Sequence, residues 1–335
     1  YNVIRDKGID SITLDSEQLN VAKELKGNSF SKVLVIESNK KLFVRKYIIK
    51  TNENKRHYKK LKRQYYDIQR LNSYCPGLCP KIYDETDLDY LYYFDIEYLE
   101  NYSHVTIQNI SIIYNLLDIL NKEIYSSKKI NNDKQWLDNF ISNKIKINEY
   151  KNLDNIIDAI FNMDTITINN KKYKGFPYLL NNINTNLFNP KYLSVIHGDL
   201  TFENILFMED DIKLIDLDGS DFIDAIELDF GKLLQSYLSN YEHWSNSSIS
   251  NKLIKEINLT QNYINTYDYK NNVDDKFYQY WSILLDNPDI NYIRKKGIFY
   301  MCTHLLRMIP YRYNSDINST IYCIKEIIVW LNYII

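Results

Sequence analysis

Residues 195–218 place three polar side chains at the ends of apolar runs. Val195-Ile196 leads into His197-Gly198-Asp199, and Asn204 follows a few residues on. A short acidic turn then precedes Ile212-Lys213-Leu214-Ile215, which ends in Asp216-Leu217-Asp218. A strand, a loop and a hairpin written this way would bring Asp199, Asn204 and Asp216 to one place. Such a set suits phosphoryl transfer, where the protein supplies position and charge and little covalent chemistry. Asp199 would orient an acceptor hydroxyl and take its proton. Asn204 and Asp216 would offer the hard oxygen ligands that Mg²⁺ takes beside nucleotide phosphates. Asp218, two residues on and so on the same strand face, is a candidate auxiliary ligand. The bland alternative is a buried hairpin whose Asp and Asn side chains only cap turns. Turn chemistry alone does not call for two carboxylates and an amide at these separations.

Elements on both sides must hold this segment. Upstream, residues 21–26, 33–37 and 41–49 read as three short antiparallel strands with polar turns at 27–31 and 38–40. Before them, Asp15-Ser16-Glu17 has the form of a helix start. Residues 52–74 repeat Leu61, Tyr65, Ile68 and Leu71 at helical spacing. The basic run over 55–63 reads as a solvated helix face. Strands are expected again over 81–84 and 90–99. Beyond 101 the pattern is helical, over 107–125, 136–160, 178–188, 233–244, 249–267, 276–285, 293–309 and 319–335. Pro310 is expected to end the helix before it. The exception is 165–176, where Thr-Ile-Thr-Ile and Asn169-Asn170 give a hairpin signature.

The chain has 335 residues, 45% of them hydrophobic, enough for a large core in one domain or two lobes. The net charge of −2 provides no global field toward nucleic acid or a membrane surface, and neither partner is expected. No apolar run reaches the roughly 18 residues of a membrane span. Cys75, Cys79, Cys302 and Cys323 are too scattered for a disulfide framework and fit a reducing cytoplasm, the expected location. Cys75-Pro-Gly-Leu-Cys79 reads as a turn. The composition includes 31 Tyr against 8 Gly and 6 Pro, so no single Tyr is taken as a functional signal. A chain that begins at Tyr1 leaves room for an additional upstream domain.

His197-Gly198-Asp199-Leu200, then Asn204-Ile205-Leu206, then Ile215-Asp216, resembles the catalytic loop and metal-binding Asp of the protein-kinase-like superfamily. With Gly where protein kinases carry Arg, it looks like the aminoglycoside phosphotransferase and choline kinase family. The resemblance implies a bilobal α+β kinase-like fold, with a small antiparallel-sheet N-lobe over 1–98 and a mainly helical C-lobe over 99–335. It implies Mg²⁺ as cofactor and ATP or GTP as co-substrate in the interlobe cleft. It also implies a phosphate-binding cation on the third strand. Aligning Leu42-Phe43-Val44-Arg45 with the family pattern puts Arg45 there, and a slip of one residue puts Lys46 there. Alternation along a strand lets only one of the two face the nucleotide. Arg45 is preferred on this alignment; it departs from the Lys of protein kinases, and its planar fork still suits phosphate.

Further residues follow from the same resemblance. The family pairs its cation with a helical Glu, and the best match here is Gln64, which would hydrogen-bond to Arg45. The turn at 27–31, with Ser29, would lie over the phosphates. The strand over 92–99 would lead to a hinge, with Glu97 and Leu99 at the adenine pocket. Asp229 fits the family's second acid, in a structural capping role. The C-terminal helices would wall the acceptor pocket. There His304 and Arg307 are three apart and share a helix face. With Arg312 they would hold an anionic or polyhydroxylated substrate.

The expected function is a small-molecule kinase that phosphorylates an alcohol. The acceptors considered are a sugar or amino-sugar intermediate of surface polysaccharide, and an amino alcohol. The basic residues near the C-terminus tilt the expectation toward a sugar or sugar phosphate and away from an aminoglycoside drug. Two rivals are a non-catalytic nucleotide-binding scaffold and a glycosyltransferase with Asp216-Leu217-Asp218 as a DxD metal site. The second leaves His197 to Asn204 unexplained.

Overall fold

A computed structural model of the chain describes residues 3–6, 9–14, 17–25, 31–218, 223–245, 250–267 and 273–335. Contacts divide it into two units, Tyr1–His104 with Asn204–Gly219, and Val105–Glu203 with Ser220–Ile335. The expected division at 98/99 left the hairpin after Asn204 with the helical part. Here that hairpin joins the sheet unit, because its first strand pairs with Ser103 and His104.

The sheet unit is built on seven antiparallel strands. They are β1 (Val3–Asp6), β2 (Ile9–Leu14), β3 (Glu17–Leu25), β4 (Lys32–Ser38), β5 (Lys41–Ile49), β6 (Ile82–Asp87) and β7 (Leu91–Glu97), in the order β1-β2-β3-β4-β5-β7-β6. Three of these strands were expected before the helix, and the sheet has five there. Glu17 is no helix start; it opens β3 and pairs with Leu14. Residues 26–30, and with them Ser29, lie outside the described residues. Val21, Leu34, Ile36, Tyr47 and Leu91 pack into one apolar cluster. Burying such a side chain contributes about 1.5–3 kcal/mol.

Helix α1 (Lys55–Tyr74) buries Leu61, Asp67, Ile68 and Leu71. It contains neither Gly nor Pro and stops where Pro76-Gly77 follows. The Cys75 N–H closes the last turn on the Leu71 carbonyl at 2.9 Å. Ser103–His104 forms β8.

The helical unit begins with α2 (Ile110–Ile119) and a short strand β9 (Lys129–Ile130). The single helix expected over 136–160 is three: α3 (Trp136–Lys144), α4 (Ile147–Lys151) and α5 (Asn155–Asn162). Asp154 makes the last break, its carboxylate capping α5 through the Ile156 N–H at 2.7 Å. The hairpin β10 (Thr165–Ile168) and β11 (Lys171–Lys174) turns at Asn169 and Asn170, both at positive φ, as a type I′ turn requires. α6 (Phe176–Asn182) and β12 (Tyr192–Ser194) follow.

The chain then enters the sheet unit for β13 (Ile205–Met208) and β14 (Asp211–Leu214). It continues in the helical unit with β15 (Asp224–Ala225), α7 (Ile226–Ser239), α8 (Tyr241–Trp244) and α9 (Ser250–Leu253). The helix expected over 249–267 ends after one turn and becomes β16 (Ile254–Asn258) and β17 (Tyr263–Thr266). β17 pairs in parallel with β10, so a distant strand overrides the local pattern. The unit closes with α10 (Asp275–Leu284), α11 (Ile290–Ser315) and α12 (Ile317–Ile334).

α11 runs through Pro310 to Ser315 and does not end there. A Pro inside a helix costs about 3 kcal/mol, which burial of α11 against its neighbours offsets. α7 and α11 approach closely at Gly231 and Gly297. A Cβ on Gly231 would sit 2.7 Å from the Tyr300 backbone, and one on Gly297 would sit 2.5 Å from the Phe230 ring. Among the described residues no helix is long and apolar enough to cross a membrane.

Candidate active site

In the sheet unit, β5 buries both candidate cations and sends them to opposite faces. Arg45 stands directly across from Asp95 on β7. Its Nε and NH2 donate to the two carboxylate oxygens at 2.7 and 2.6 Å, and its guanidinium lies 3.8 Å from the Tyr93 ring centre. Lys46 points the other way and forms an ion pair with Asp216. The sequence preferred Arg45 for the phosphates; the structure pairs it within the sheet. The cross-strand acid claims the guanidinium, and the neighbouring lysine takes the face of Asp216. Gln64 is half-buried on α1 and has no hydrogen-bond partner among the described residues, so the expected bond to Arg45 does not form.

Asp216 follows β14 at φ +55°, with its side chain half exposed. The Ile215 N–H beside it donates to the Asn204 carbonyl at 3.0 Å, which ties the two candidate metal ligands together through backbone. Asp218 pairs with Lys60 of α1 at 3.1 Å. Asn204, Asp216 and Asp218 are hard oxygen donors that fit Mg²⁺. Among the described residues no three His, Cys, Asp or Glu side chains group to hold a metal by themselves.

α1 also carries an acid that sequence reasoning missed. Asp67 is buried and 3.3 Å from Arg70. Burial pushes its carboxyl up to about 6; Asp218 adds to the rise while Arg70 and Arg63 oppose it. Its place on the buried face with Ile68 and Leu71 was the available signal. At the end of β7, the Glu97 N–H donates to the Lys81 carbonyl at 2.8 Å, and its carboxylate accepts from the Lys81 N–H at 3.2 Å. The Glu97 amide expected at the adenine edge is thus committed within the sheet. Leu99 lies half-exposed beyond it.

In the helical unit, buried Val195 and Ile196 lead to a loop with Gly198 at φ +83°. That angle suits Gly and strains other residues. One stripe of α7 holds this loop. Asp229, fully buried, accepts the His197 N–H at 2.9 Å, the Gly198 N–H at 2.8 Å and the Tyr125 hydroxyl at 2.8 Å. One turn on, Lys232 reaches Asp199 at 2.9 Å. A further turn on, the Ser236 hydroxyl oxygen accepts the Phe202 N–H at 3.0 Å. Spacing of three and four residues puts all three on one helix face. Asp229 thus anchors the loop backbone, beyond the cap expected of it. Burial raises its carboxyl pKa against the pull of these donors.

Glu203 lies near enough to both Asp199 and Glu242 to feel their charges. Glu203 keeps an exposed edge, yet loss of water pushes its carboxyl up to about 7. The charges of Glu242 and Asp199 add to this, and those of Lys232 and Arg312 oppose it. Glu242, on α8, accepts the Phe202 N–H at 3.1 Å and the Ser236 hydroxyl. A cavity of about 400 Å³ in this unit is lined by Thr106, Gln108, Phe202, Ser236, Asn240 and Glu242.

The three basic candidates of α11 have different surroundings. His304 is buried, with Nε2 2.9 Å from the Leu228 carbonyl. Burial first, with Lys232 and Arg307 adding, holds its pKa well below the ordinary histidine value, so it is neutral. His304, expected at the acceptor pocket, is buried here, and its helix face packs on α7. Arg307 lies over the Phe140 ring at 5.8 Å. Arg312 donates to the Ser245 carbonyl at 3.1 Å and to the Tyr241 hydroxyl. Of the three, Arg312 has a charge that Glu203 feels.

No protein-family model matches the chain, and no curated protein matches it. Solved structures do. One from Haemophilus somnus 129PT, assigned as a fructosamine-3-kinase, is 14% identical with a TM-score of 0.54, over 91% of this chain and 89% of that one. A thermostable mutant of aminoglycoside phosphotransferase APH(4)-Ia is 10% identical with a TM-score of 0.51, over 94% and 95%. The chain has the bilobal α+β protein-kinase-like fold of these structures.

Proposed function

We propose that this chain is a small-molecule kinase that transfers the γ-phosphoryl group of ATP or GTP to an alcohol. The Lys46–Asp216 ion pair, set in a kinase-like fold, carries the reading. A lysine beside a metal-ligating acid is what two phosphates and Mg²⁺ require of the protein. In this reading Asn204 and Asp216 hold the metal, with Asp218 as auxiliary. Mg²⁺, when bound, neutralises charge on the transferring phosphoryl group. Lys46 contacts the nucleotide phosphates once they separate it from Asp216. Asp199 orients the acceptor hydroxyl and takes its proton, and Lys232 at 2.9 Å fixes where that carboxylate points.

The acceptor is an alcohol that also bears an amino group, such as an amino sugar or amino alcohol. Glu203, an acid near Asp199, supports this. The 400 Å³ cavity bounded by Glu242 is large enough for a sugar-sized ring. The tilt toward a sugar phosphate loses its ground, since His304 is a neutral core residue and Arg312 is already bonded.

The test is Mg²⁺-dependent turnover of ATP and GTP across a panel of amino sugars, amino alcohols, aminoglycosides and neutral sugars. Transfer to an amine-bearing alcohol, abolished by Asp199→Asn with nucleotide binding retained, is the expected result. Absence of transfer to every member of the panel would overturn the reading.

A further inference from the structure

Asp229 grips the loop where it begins, and a second carboxylate grips it where it ends. α7 stops at Asn240, whose left-handed backbone (φ +52°) turns the chain into α8. That turn directs Glu242 back toward the loop. The Phe202 N–H is shared between the Ser236 hydroxyl oxygen at 3.0 Å and Glu242 Oε1 at 3.1 Å, and the Ser236 hydroxyl itself donates to the same Oε1. The Glu203 N–H also bonds to this carboxylate. The next residue in the chain is Asn204.

We infer that Glu242 is a positioning residue of the catalytic loop, whose carboxylate oxygen fixes the Phe202–Glu203 backbone and so the run from Asp199 to its end. The Ser236 hydroxyl oxygen and the Glu242 carboxylate meet two N–H groups and one hydroxyl there, and Glu242 accepts from all three donors. Its site carboxylate is not needed to touch a reacting atom. It acts through the backbone between the candidate base and the candidate metal ligand. A displacement of about 1 Å in such a segment can cost on the order of a hundredfold in rate. The kinetic part of this inference rests on the proposed kinase reading; the anchoring of the loop does not.

The experiment compares the full chain with Glu242→Ala, Glu242→Gln and Ser236→Ala. Hydrogen exchange is followed in peptides covering 200–203 and 195–198. Glu242→Ala is expected to speed exchange in 200–203 and leave 195–198, held by Asp229, unchanged. Its kcat should fall about tenfold or more with the nucleotide KM within about twofold. Glu242→Gln keeps an acceptor oxygen and should recover most of both losses. Ser236→Ala removes only the bridging hydroxyl and should show a smaller effect of the same kind. Unchanged exchange in 200–203 for both Ala variants would overturn the inference. So would a Glu242→Gln protein no better than Glu242→Ala with both equally lowered in Tm, since that is a general folding role. Faster exchange in 200–203, in a protein whose turnover Asp199→Asn leaves intact, would support the anchoring and sink the kinase reading instead.

Discussion

Lys46 and Asp216 lie 170 residues apart in sequence and form an ion pair within the sheet unit. Asp216 leaves half of its side chain exposed, while the lysine side chain is almost wholly buried. A buried cation that faces one open carboxylate is poised to exchange that partner for phosphate oxygens. Lys46→Met should therefore lower kcat/KM by about 100-fold or more, by analogy with the loss of other preorganised charges. Steady-state kinetics with the best acceptor checks this. Retained turnover would remove Lys46 from the site.

Arg45, one residue away, should behave in the opposite manner. Its bidentate pair with Asp95 is buried on both sides. Arg45→Met would strand a buried carboxylate and should cost about 3–5 kcal/mol of stability. Nucleotide affinity of the protein that remains folded should not change. Urea denaturation and nucleotide titration together separate the two lysine and arginine roles.

This pair marks where sequence reading stops. Asp199, Asn204 and Asp216 could be proposed from sequence because loop, turn and strand ends are local features. The hairpin at Asn169-Asn170 was legible for the same reason. The choice between Arg45 and Lys46 depends on Asp95, which stands across the sheet 50 residues later. β16 and β17 look helical in isolation because the strand that fixes them, β10, lies far upstream. His304 shares a helix face with Arg307 by spacing, yet only packing against α7 tells that the face is buried. Glu203 and Glu242 show no motif at all. Glu203 sits within the loop, and Glu242 became visible once α8 placed it against the Phe202 N–H.

Glu203 gives a pH prediction with a definite sign. Its carboxyl is pushed up from 4.5 to about 7, by loss of water first and then by Glu242 and Asp199. The folded state thus holds this proton more tightly than the unfolded chain. The stability it contributes is fully present below about pH 4.5 and is lost as pH rises toward about 7. Glu203→Gln should match the wild type near the acid end and exceed it in stability above neutrality. Urea midpoints across this range test it. In kinetics, the KM for an amine-bearing acceptor should fall as pH rises through the same window, and Glu203→Gln should flatten that dependence.

His304 predicts a slope of the other sign. Burial holds its folded pKa well below 6.5, so unfolding takes up a proton when the solution is acid. Its contribution is present above about 6.5 and is lost as pH falls below that value. His304→Gln can still donate to the Leu228 carbonyl and should remove this acid-side loss while keeping most of the stability at neutral pH. His304→Leu removes this side-chain bond to the Leu228 carbonyl and should cost about 0.5–1.5 kcal/mol. Neither change should alter the acceptor KM by more than about twofold, a shift at the level of a surface substitution. A larger KM change in His304→Gln, with stability intact, would return His304 to the substrate pocket that its spacing with Arg307 first suggested. An unchanged KM with the acid-side slope removed would fix it as a core histidine, whose task is to hold α11 against the helix that carries Asp229 and Lys232.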